Sequence, residues 1–295
     1  MPQHFVAPPE WHWYIVWYFF LGGLAGGAYA LGVLLRLVGS REDEGAARLA
    51  FLVSFPALVI CPILLTLDLG KPMRFWHMLI DARTWLPTLK YWSPMSLGAW
   101  VLAVFGIFAT LSFVEALVLD GRLRHPLARR VADALSGGFG RLFMIVGACL
   151  GLFIAGYTGV LLAVSNQPVW SDTWAIGGLF LASGLSTAAA AIALFAWWRR
   201  DARVSQEKLS VADRYFLLLE LALLAIFFMT LGPMASQAVH GGWIALWVLV
   251  LAGILIPLVM HRSSAGGAMM PVLACLLVLI GSFALRTVIV LSPQL

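Results

Sequence analysis

Charged residues are scarce in this sequence of 295 residues: 11% are Asp, Glu, Lys or Arg, whereas 62% are hydrophobic. An ordinary soluble domain carries about 25% charged residues, so this composition excludes one. The length allows about eight helices of roughly 20 residues with short links between them. We therefore predict an all-α, polytopic helical bundle that forms a single integral membrane domain, residues 1–295, in the lipid bilayer.

Cysteine is infrequent as well. Cys61, Cys149 and Cys275 lie in three different apolar runs, without the CxxC spacing of a metal site. This distribution is typical of small buried hydrophobic residues. An iron–sulfur cluster requires about four convergent thiolates, so we expect no such cluster in this chain.

Histidines are missing from the interior of the apolar runs. The six histidines lie at the termini, in links or at the extreme ends of runs: His4, His12, His77, His125, His240 and His261. A membrane haem b needs histidines on facing helices. We expect neither haem nor a metal site in this chain.

Eight apolar runs are long enough to cross a bilayer as helices, whose backbone groups bond internally. They cover residues 14–36, 46–68, 94–119, 142–165, 172–198, 214–232, 242–260 and 269–291. In the first run, Gly23 and Gly27 have a GxxxG-type spacing that predicts close approach of another helix.

The Lys and Arg residues are distributed unequally between the two sides of this predicted bundle. One side has only four cations, all in the link between the second and third runs: Lys71, Arg74, Arg83 and Lys90. The other links contain fourteen cations: Arg36, Arg41, Arg48, Arg122, Arg124, Arg129, Arg130, Arg141, Arg199, Arg200, Arg203, Lys208, Arg214 and Arg262. The positive-inside rule makes the fourteen-cation face cytoplasmic. We therefore predict a multi-pass protein of the bacterial inner membrane with both termini in the periplasm, and the net charge of +5 indicates topology, with no nucleic-acid partner.

The segment 66–76 combines a carboxylate, a glycine, a proline, two cations and two aromatic residues at the outer end of an apolar run. We interpret it as the membrane-surface edge of a quinone site. Asp68 would point to the pocket, while Lys71 and Arg74 would face a partner protein. The alternative is that these cations only contact lipid headgroups.

Tyr157 lies in the fourth run, about 12 Å below its outer end at 1.5 Å per residue. A tyrosine at that depth must pair its hydroxyl group or face a cavity. A quinone carbonyl is one acceptor for this hydroxyl, and a backbone carbonyl of another helix is the other. The residue pattern alone leaves both open.

Charged side chains inside the runs are costly in a membrane and therefore informative. Arg286 lies near the middle of the last run, Glu220 in the sixth run and Glu115 near the inner end of the third. These groups fit a proton path. They fit equally well an ion pair between Arg286 and a carboxylate that fixes how the helices pack.

Six segments in the same order resemble the NrfD/PsrC family of membrane subunits from polysulfide-reductase-like complexes: 18–27, 68–72, 93–100, 157–162, 180–187 and 279–286. The resemblance implies an eight-helix subunit that reacts with a quinone, menaquinone or ubiquinone, and has no redox metal of its own. It also implies a ferredoxin-like iron–sulfur subunit and a molybdopterin catalytic subunit as partners.

The family's site residues correspond to particular positions here. The tyrosine of its Tyr-Thr-Gly motif corresponds to Tyr157, and the aspartate of its Asp-Leu-Gly motif to Asp68. Some relatives have Asn and His in the first turns of the first helix, where this chain has the aromatic segment 14–18. We expect Tyr18 or His12 to take that role.

Three functions fit these observations. The first is a respiratory oxidoreductase subunit that exchanges electrons between quinone and a periplasm-facing iron–sulfur partner. The chain would then be an enzyme as the quinone-reactive subunit, without acting on the terminal substrate of the complex. In it, Tyr157 would donate a hydrogen bond to the quinone, and Asp68 or His12 would exchange a proton. The second is a passive anchor for the complex. The third is a secondary transporter, although the interrupted helices and repeats of transporters are not evident.

Overall fold

The computed structural model describes residues 10–260 and 270–294. Eleven α-helices and no β-strand occur in these residues. The helices are α1 Trp13–Val38, α2 Glu44–Asp68, α3 Pro94–Leu119, α4 Pro126–Leu135, α5 Gly138–Ala163, α6 Ala175–Ala196, α7 Arg200–Arg203, α8 Gln206–Leu231, α9 Ala235–Ala238, α10 Trp243–Met260 and α11 Met270–Leu291.

Eight of the described helices are long and apolar enough to cross a membrane, which confirms the all-α architecture. They are α1, α2, α3, α5, α6, α8, α10 and α11. Seven begin within four residues of the predicted position. The exception is α8, which begins at Gln206 although the charges near residue 214 predicted a later start. Lys208 reaches Asp43 at the helix surface, so its charge does not oppose a helix there.

The short helix α4 was not among the predicted elements. His125 caps its N-terminus, because Nδ1 accepts a hydrogen bond from the Leu127 N–H at 3.2 Å, and Pro126 occupies the first helical position. One face of α4 is buried, whereas Arg129 and Arg130 are exposed.

Glycine contacts set how closely α1 packs at the centre of the bundle. A Cβ atom on Gly23 would lie 3.4 Å from the Cα of Gly184 in α6, and one on Gly27 would lie 2.6 Å from the Gly184 carbonyl oxygen. On the other side of α1, Gly26 lies directly against the backbone of Gly151 in α5. The predicted GxxxG-type packing is therefore confirmed.

One end of the bundle is held together by ion pairs between links that are distant in sequence. Asp120, after α3, accepts contacts from Arg48 and from Arg199, both at 2.9 Å. Lys208 lies 2.6 Å from Asp43. Three of the links that carry these cations thus meet at a single end, whereas Arg262 lies outside the described residues.

The opposite end carries the 69–93 link and both described ends of the chain. The Trp11 N–H donates to the Gln294 side-chain oxygen at 2.7 Å, and the Trp170 indole N–H donates to the Ile289 carbonyl at 2.6 Å. The separation of the links into two groups agrees with the charge pattern. The assignment of these ends to cytoplasm and periplasm stays a prediction.

Candidate functional site

A cavity of about 670 Å³ lies between α1, α2, α3 and α5, at the end of the bundle that carries the 69–93 link. Most of its wall is apolar. Five of its lining residues carry polar side chains: Tyr18, Thr66, Asp68, Thr110 and Tyr157. A large apolar pocket with a few polar groups is the usual form of a small-molecule site.

The end of α2 and the residues after it close the cavity on the outer side. Gly70 has a φ of +65°, a left-handed conformation that favours glycine and turns the chain away from the helix. A 3₁₀-helix then runs over Pro72–Met78. Phe75 and Met78 from this helix line the cavity, so the link forms its roof.

Tyr157 forms the inner wall on α5. Its hydroxyl group donates a hydrogen bond to the carbonyl oxygen of Pro94 in the first turn of α3. The tyrosine ring stacks on Phe153 with 5.4 Å between centroids, and Gly98 leaves no space for a side chain beside it. The sequence left two acceptors open for the Tyr157 hydroxyl group, a quinone carbonyl and a backbone carbonyl. In the structure the acceptor is a backbone carbonyl.

Tyr18 lies on α1 and is 3% exposed, although it lines the cavity. Its hydroxyl group is close enough to Cys61 and Tyr157 to interact with them electrostatically. No residue in the described parts of the chain forms a hydrogen bond with this hydroxyl. Because Tyr18 lines the cavity, this hydroxyl group is available there as a hydrogen-bond donor.

Asp68 is the last residue of α2, is partly exposed and lines the cavity. His12, the residue before α1, acts on its charge electrostatically. His12 is exposed and is not part of the cavity wall, which Trp11 forms instead. The structure therefore brings Asp68, Tyr18 and Tyr157 to one cavity and leaves His12 beside its mouth.

Lys71 and Arg74 are exposed at the surface of the 69–93 link, which is the outer surface in the predicted orientation, and neither forms an ion pair within the described residues. Nearby, the backbone N–H groups of Arg83 and Thr84 donate to Asp81 and lower the pKa of that carboxyl group. Large apolar side chains are exposed on the same link: Met73, Phe75, Trp85, Leu86, Leu89, Tyr91 and Trp92. This outer surface is both cationic and apolar.

Arg286 is fully buried on α11 and does not line the cavity. Its Nε donates to the Phe19 carbonyl at 3.1 Å, and Nη1 donates to the hydroxyl groups of Ser282 at 2.5 Å and Ser183 at 3.1 Å. No carboxylate among the described residues lies within 4.0 Å of the guanidinium group. The direct ion pair considered from the sequence is therefore not formed.

Glu220 connects to Arg286 through Ser183, which contacts both side chains. Because α8 begins at Gln206, Glu220 lies about 21 Å along the helix at 1.5 Å per residue. Asp213 is also buried on α8 and accepts a hydrogen bond from Ser186 at 2.8 Å.

Asp213 was not among the predicted site residues, because the sixth apolar run was expected to begin at residue 214. The signal was the seven-residue spacing between Asp213 and Glu220, which puts two carboxylates on one helix face two turns apart.

Glu115 is not part of the buried group formed by Glu220, Ser183 and Arg286. Its carboxylate accepts a hydrogen bond from Arg36 Nη1 at 2.7 Å, and Arg36 also pairs with Glu44 at 2.6 Å. These residues connect the cytoplasmic-side ends of α3, α1 and α2 by the predicted orientation. Of the three residues considered for a proton path, the structure brings together only Glu220 and Arg286.

Bilayer-length helices around a largely apolar cavity define a multi-pass integral membrane protein with a ligand-sized site near one membrane surface. Residues 3–295 match the family described as "Polysulphide reductase, NrfD". The chain belongs to this family, and it is a protein of the bacterial inner membrane.

Three relatives illustrate the relationship. The chain is 28% identical to a polysulfide reductase chain of Wolinella succinogenes, over 96% of this chain and 94% of that protein. It is 25% identical to protein NrfD of Escherichia coli, over 97% of this chain and 95% of that protein. It is 28% identical to a selenate reductase subunit of Mesobacillus selenatarsenatis, over 45% of this chain and 28% of that protein.

Proposed function

We propose that this chain is the quinone-reactive membrane subunit of a respiratory reductase complex, which exchanges electrons between a membrane quinone and an iron–sulfur partner. The observation that carries the proposal is the largely apolar cavity whose wall includes the polar groups of Tyr18, Tyr157 and Asp68. Relatives named as parts of polysulfide and selenate reductases support a role inside a reductase complex.

The residues present fit a quinone. A volume of about 670 Å³ is within the usual range for small-molecule sites, and its wall suits an apolar ring. A quinone, when bound, supplies redox chemistry that takes up or releases protons at its two ring oxygens. A site for it therefore needs an apolar wall, hydrogen-bonding groups for the oxygens and a group that exchanges protons with water.

The two tyrosines would play different roles. The Tyr18 hydroxyl has no partner in the described chain, so it would donate a hydrogen bond to a ring oxygen and stabilise negative charge there. The Tyr157 hydroxyl already donates to Pro94. Its oxygen lone pairs would therefore accept a hydrogen bond from the reduced ligand, or the hydroxyl group would turn and donate to the ligand instead of the Pro94 carbonyl.

Asp68 would exchange the proton with the outer aqueous phase. It lines the cavity and is also partly exposed, so the same carboxylate contacts both the ligand space and the surface. His12 would assist from the mouth, because its side chain is exposed and acts on the Asp68 charge. Both groups belong to the types that carry out general acid–base chemistry.

The outer surface would bind the iron–sulfur subunit, and a molybdopterin subunit would complete the complex. Lys71 and Arg74 are cationic and unpaired within the described chain, and the exposed aromatic residues around them provide the apolar contact. Aromatic residues, Met and Arg are enriched in protein interfaces, and a positive surface attracts a partner of opposite charge. This surface lies directly over the cavity, which would keep the electron-transfer distance short.

The buried group of Glu220, Asp213 and Arg286 would give the same subunit a proton path from the cytoplasmic side. Ser183 and Ser186 provide hydroxyl contacts along it. Such intramembrane ionisable groups usually have a functional role. Arg286 donates to the carbonyl oxygen of Phe19, and Phe19 lines the cavity, so this path would end beside the quinone site.

Binding of a quinone-site inhibitor to the intact complex tests the proposed function. We expect the complex to bind the inhibitor and Asp68→Ala to weaken that binding by at least about tenfold, as loss of a charged hydrogen bond implies. Asp133→Ala, which removes an exposed carboxylate of α4, is the control and should bind normally. No binding by the wild-type complex would favour the passive anchor.

A further inference from the structure

The cations at the ion-paired end of the bundle differ in whether they have a partner. One set pairs with carboxylates of other links and helices: Arg36, Arg48, Arg199 and Lys208. A second set, in the connection between α3 and α5, is exposed and forms no ion pair within the described residues: Arg124, Arg129, Arg130 and Arg141. Residues 121–141 contain five arginines and one aspartate. This connection therefore presents several unneutralised positive charges on one surface.

The short helix α4 presents two of these arginines outward. Its apolar residues Ala128, Ala132 and Leu135 follow one another at intervals of four and three, so they form one stripe, which is buried. The rest of the helix surface is largely exposed and carries Arg129 and Arg130. The helix is thus fixed to the bundle by its apolar stripe and leaves both guanidinium groups free to bind a ligand.

The start of α5 brings a third arginine to the same place. Gly140 lies directly against the carbonyl oxygen of Leu135, so the first turn of α5 contacts the last turn of α4. Arg141 follows Gly140 and is exposed. At 1.5 Å per residue, Arg130 lies about 8 Å along α4 from Leu135. Long arginine side chains from both helices can therefore reach a single phosphate-sized group.

An apolar stripe runs along α5 from these arginines toward the middle of the spanning helix. Leu142, Ile145 and Val146 are 61%, 47% and 40% exposed, and Cys149 is exposed as well. Their spacing of three and four residues puts them on one face of the helix. Because α5 has the length and composition of a spanning helix, this face contacts the hydrocarbon part of the bilayer. The cations thus lie at the end of a surface that faces lipid chains.

We propose that α4 and the first turns of α5 form a binding site for an anionic phospholipid. The phosphate would lie among Arg129, Arg130 and Arg141, and the acyl chains would follow the apolar stripe of α5. Arginine suits this role because its guanidinium group donates parallel hydrogen bonds to phosphate oxygens. Basic surfaces beside spanning helices bind anionic headgroups in this way. None of these residues lines the cavity, so the lipid site does not depend on the proposed function.

Charge and hydrocarbon together distinguish an anionic lipid from other occupants. A zwitterionic lipid brings a cation of its own to a surface that already carries unpaired arginines, which reduces the attraction. A free phosphate ion would neutralise the arginines but would leave the apolar stripe without a role. An acidic protein segment would bind from the aqueous phase and could not follow the stripe of α5 into the bilayer.

Two double variants separate a specific site from the general positive charge of this end. Arg129→Gln with Arg130→Gln removes two exposed cations of α4, and neither side chain has an ion pair to lose. Arg41→Gln with Arg200→Gln is the matched control, because it removes two exposed, unpaired cations from other links of the same end. Both double variants change the net charge equally.

Binding of phosphatidylglycerol and phosphatidylcholine to the delipidated, purified protein, measured by native mass spectrometry, tests the site. We expect tighter binding of phosphatidylglycerol, weakened about tenfold or more in the α4 double variant and within about twofold of wild type in the control. Equal weakening in both double variants, or in neither, would overturn the site, and so would equal affinity for the two lipids. Inorganic phosphate should not displace phosphatidylglycerol; displacement would show a site for the free ion instead.

A second readout locates the acyl chains. Cys149 is exposed whereas Cys61 and Cys275 are buried, so a thiol-reactive fluorophore will attach to Cys149, about 12 Å along α5 from Arg141. Phosphatidylglycerol brominated in the middle of its acyl chains should quench this fluorophore more than brominated phosphatidylcholine at the same mole fraction. The α4 double variant should abolish the difference. Equal quenching by the two lipids in the wild-type protein would contradict the proposed position of the chains.

Discussion

The hydroxyl group of Tyr157 on α5 donates its hydrogen bond to the backbone carbonyl of Pro94 at the start of α3. This contact joins two helices across the cavity and fixes the tyrosine ring against Gly98. The same residue is thus part of the helix packing and of the candidate site. Its substitution should consequently affect both stability and function.

Tyr157→Phe should lower quinone-linked turnover by about tenfold, because one hydrogen bond of roughly 1 kcal/mol or slightly more is lost at the reacting ligand. The melting temperature of the purified subunit should also fall, since the bond to Pro94 disappears. Assembly with the partner subunits should persist. Turnover equal to wild type would contradict the placement of Tyr157 at the site.

Reversal of the outer cations should weaken attachment of the partner. We expect Lys71→Glu together with Arg74→Glu to reduce co-purification of the iron–sulfur subunit, with a stronger effect at low salt, where exposed charges are less screened. The matched control is Arg129→Glu together with Arg130→Glu on α4, two exposed cations of the opposite face. Equal loss of the partner in both double variants would refute a specific docking surface.

The buried carboxylates of α8 should matter for proton movement. In vesicles that contain the whole complex, Glu220→Gln and Asp213→Asn should lower the number of protons moved per electron pair while quinone-linked electron transfer continues. Glu207→Gln, on the exposed face of the same helix, is the control and should behave like wild type. If proton movement were unchanged in both buried variants, these residues would contribute only to helix packing.

Close packing of α1 against α5 predicts a stability difference between two glycine variants. In Gly26→Ala, the new methyl group would overlap the backbone of Gly151, so we expect a loss of about 1–3 kcal/mol from overpacking. Gly106→Ala meets open space and should not be destabilised. Thermal unfolding of both proteins in the same detergent measures the difference. Similar melting temperatures would show that the helices can move apart at no cost.

Much of the fold could be predicted because the membrane imposes simple rules. A spanning helix must be apolar over its length, so the eight runs were visible in composition alone. The start of α8 was less predictable, because Lys208 and Asp213 look like link residues until their partners are known. Asp43 and Ser186 satisfy these two groups, and both partners come from distant parts of the sequence.

The candidate site was predictable in its outline and less so in its detail. The chemistry of Tyr18, Asp68 and Tyr157 indicated a site, and the three residues line one cavity. The sequence could not determine which tyrosine hydroxyl is already paired, because this depends on the distance between α3 and α5. The cavity itself was likewise invisible, since it is a space between helices.

The central claim is that the cavity beside Tyr18 binds a quinone headgroup, and the affinity of Tyr18→Phe for a quinone tests it most directly. Because this hydroxyl has no hydrogen-bond partner among the described residues, its removal should leave the melting temperature unchanged. The dissociation constant for menadione should rise by about tenfold, as loss of one buried hydrogen bond implies. A dissociation constant equal to that of wild type would contradict the account.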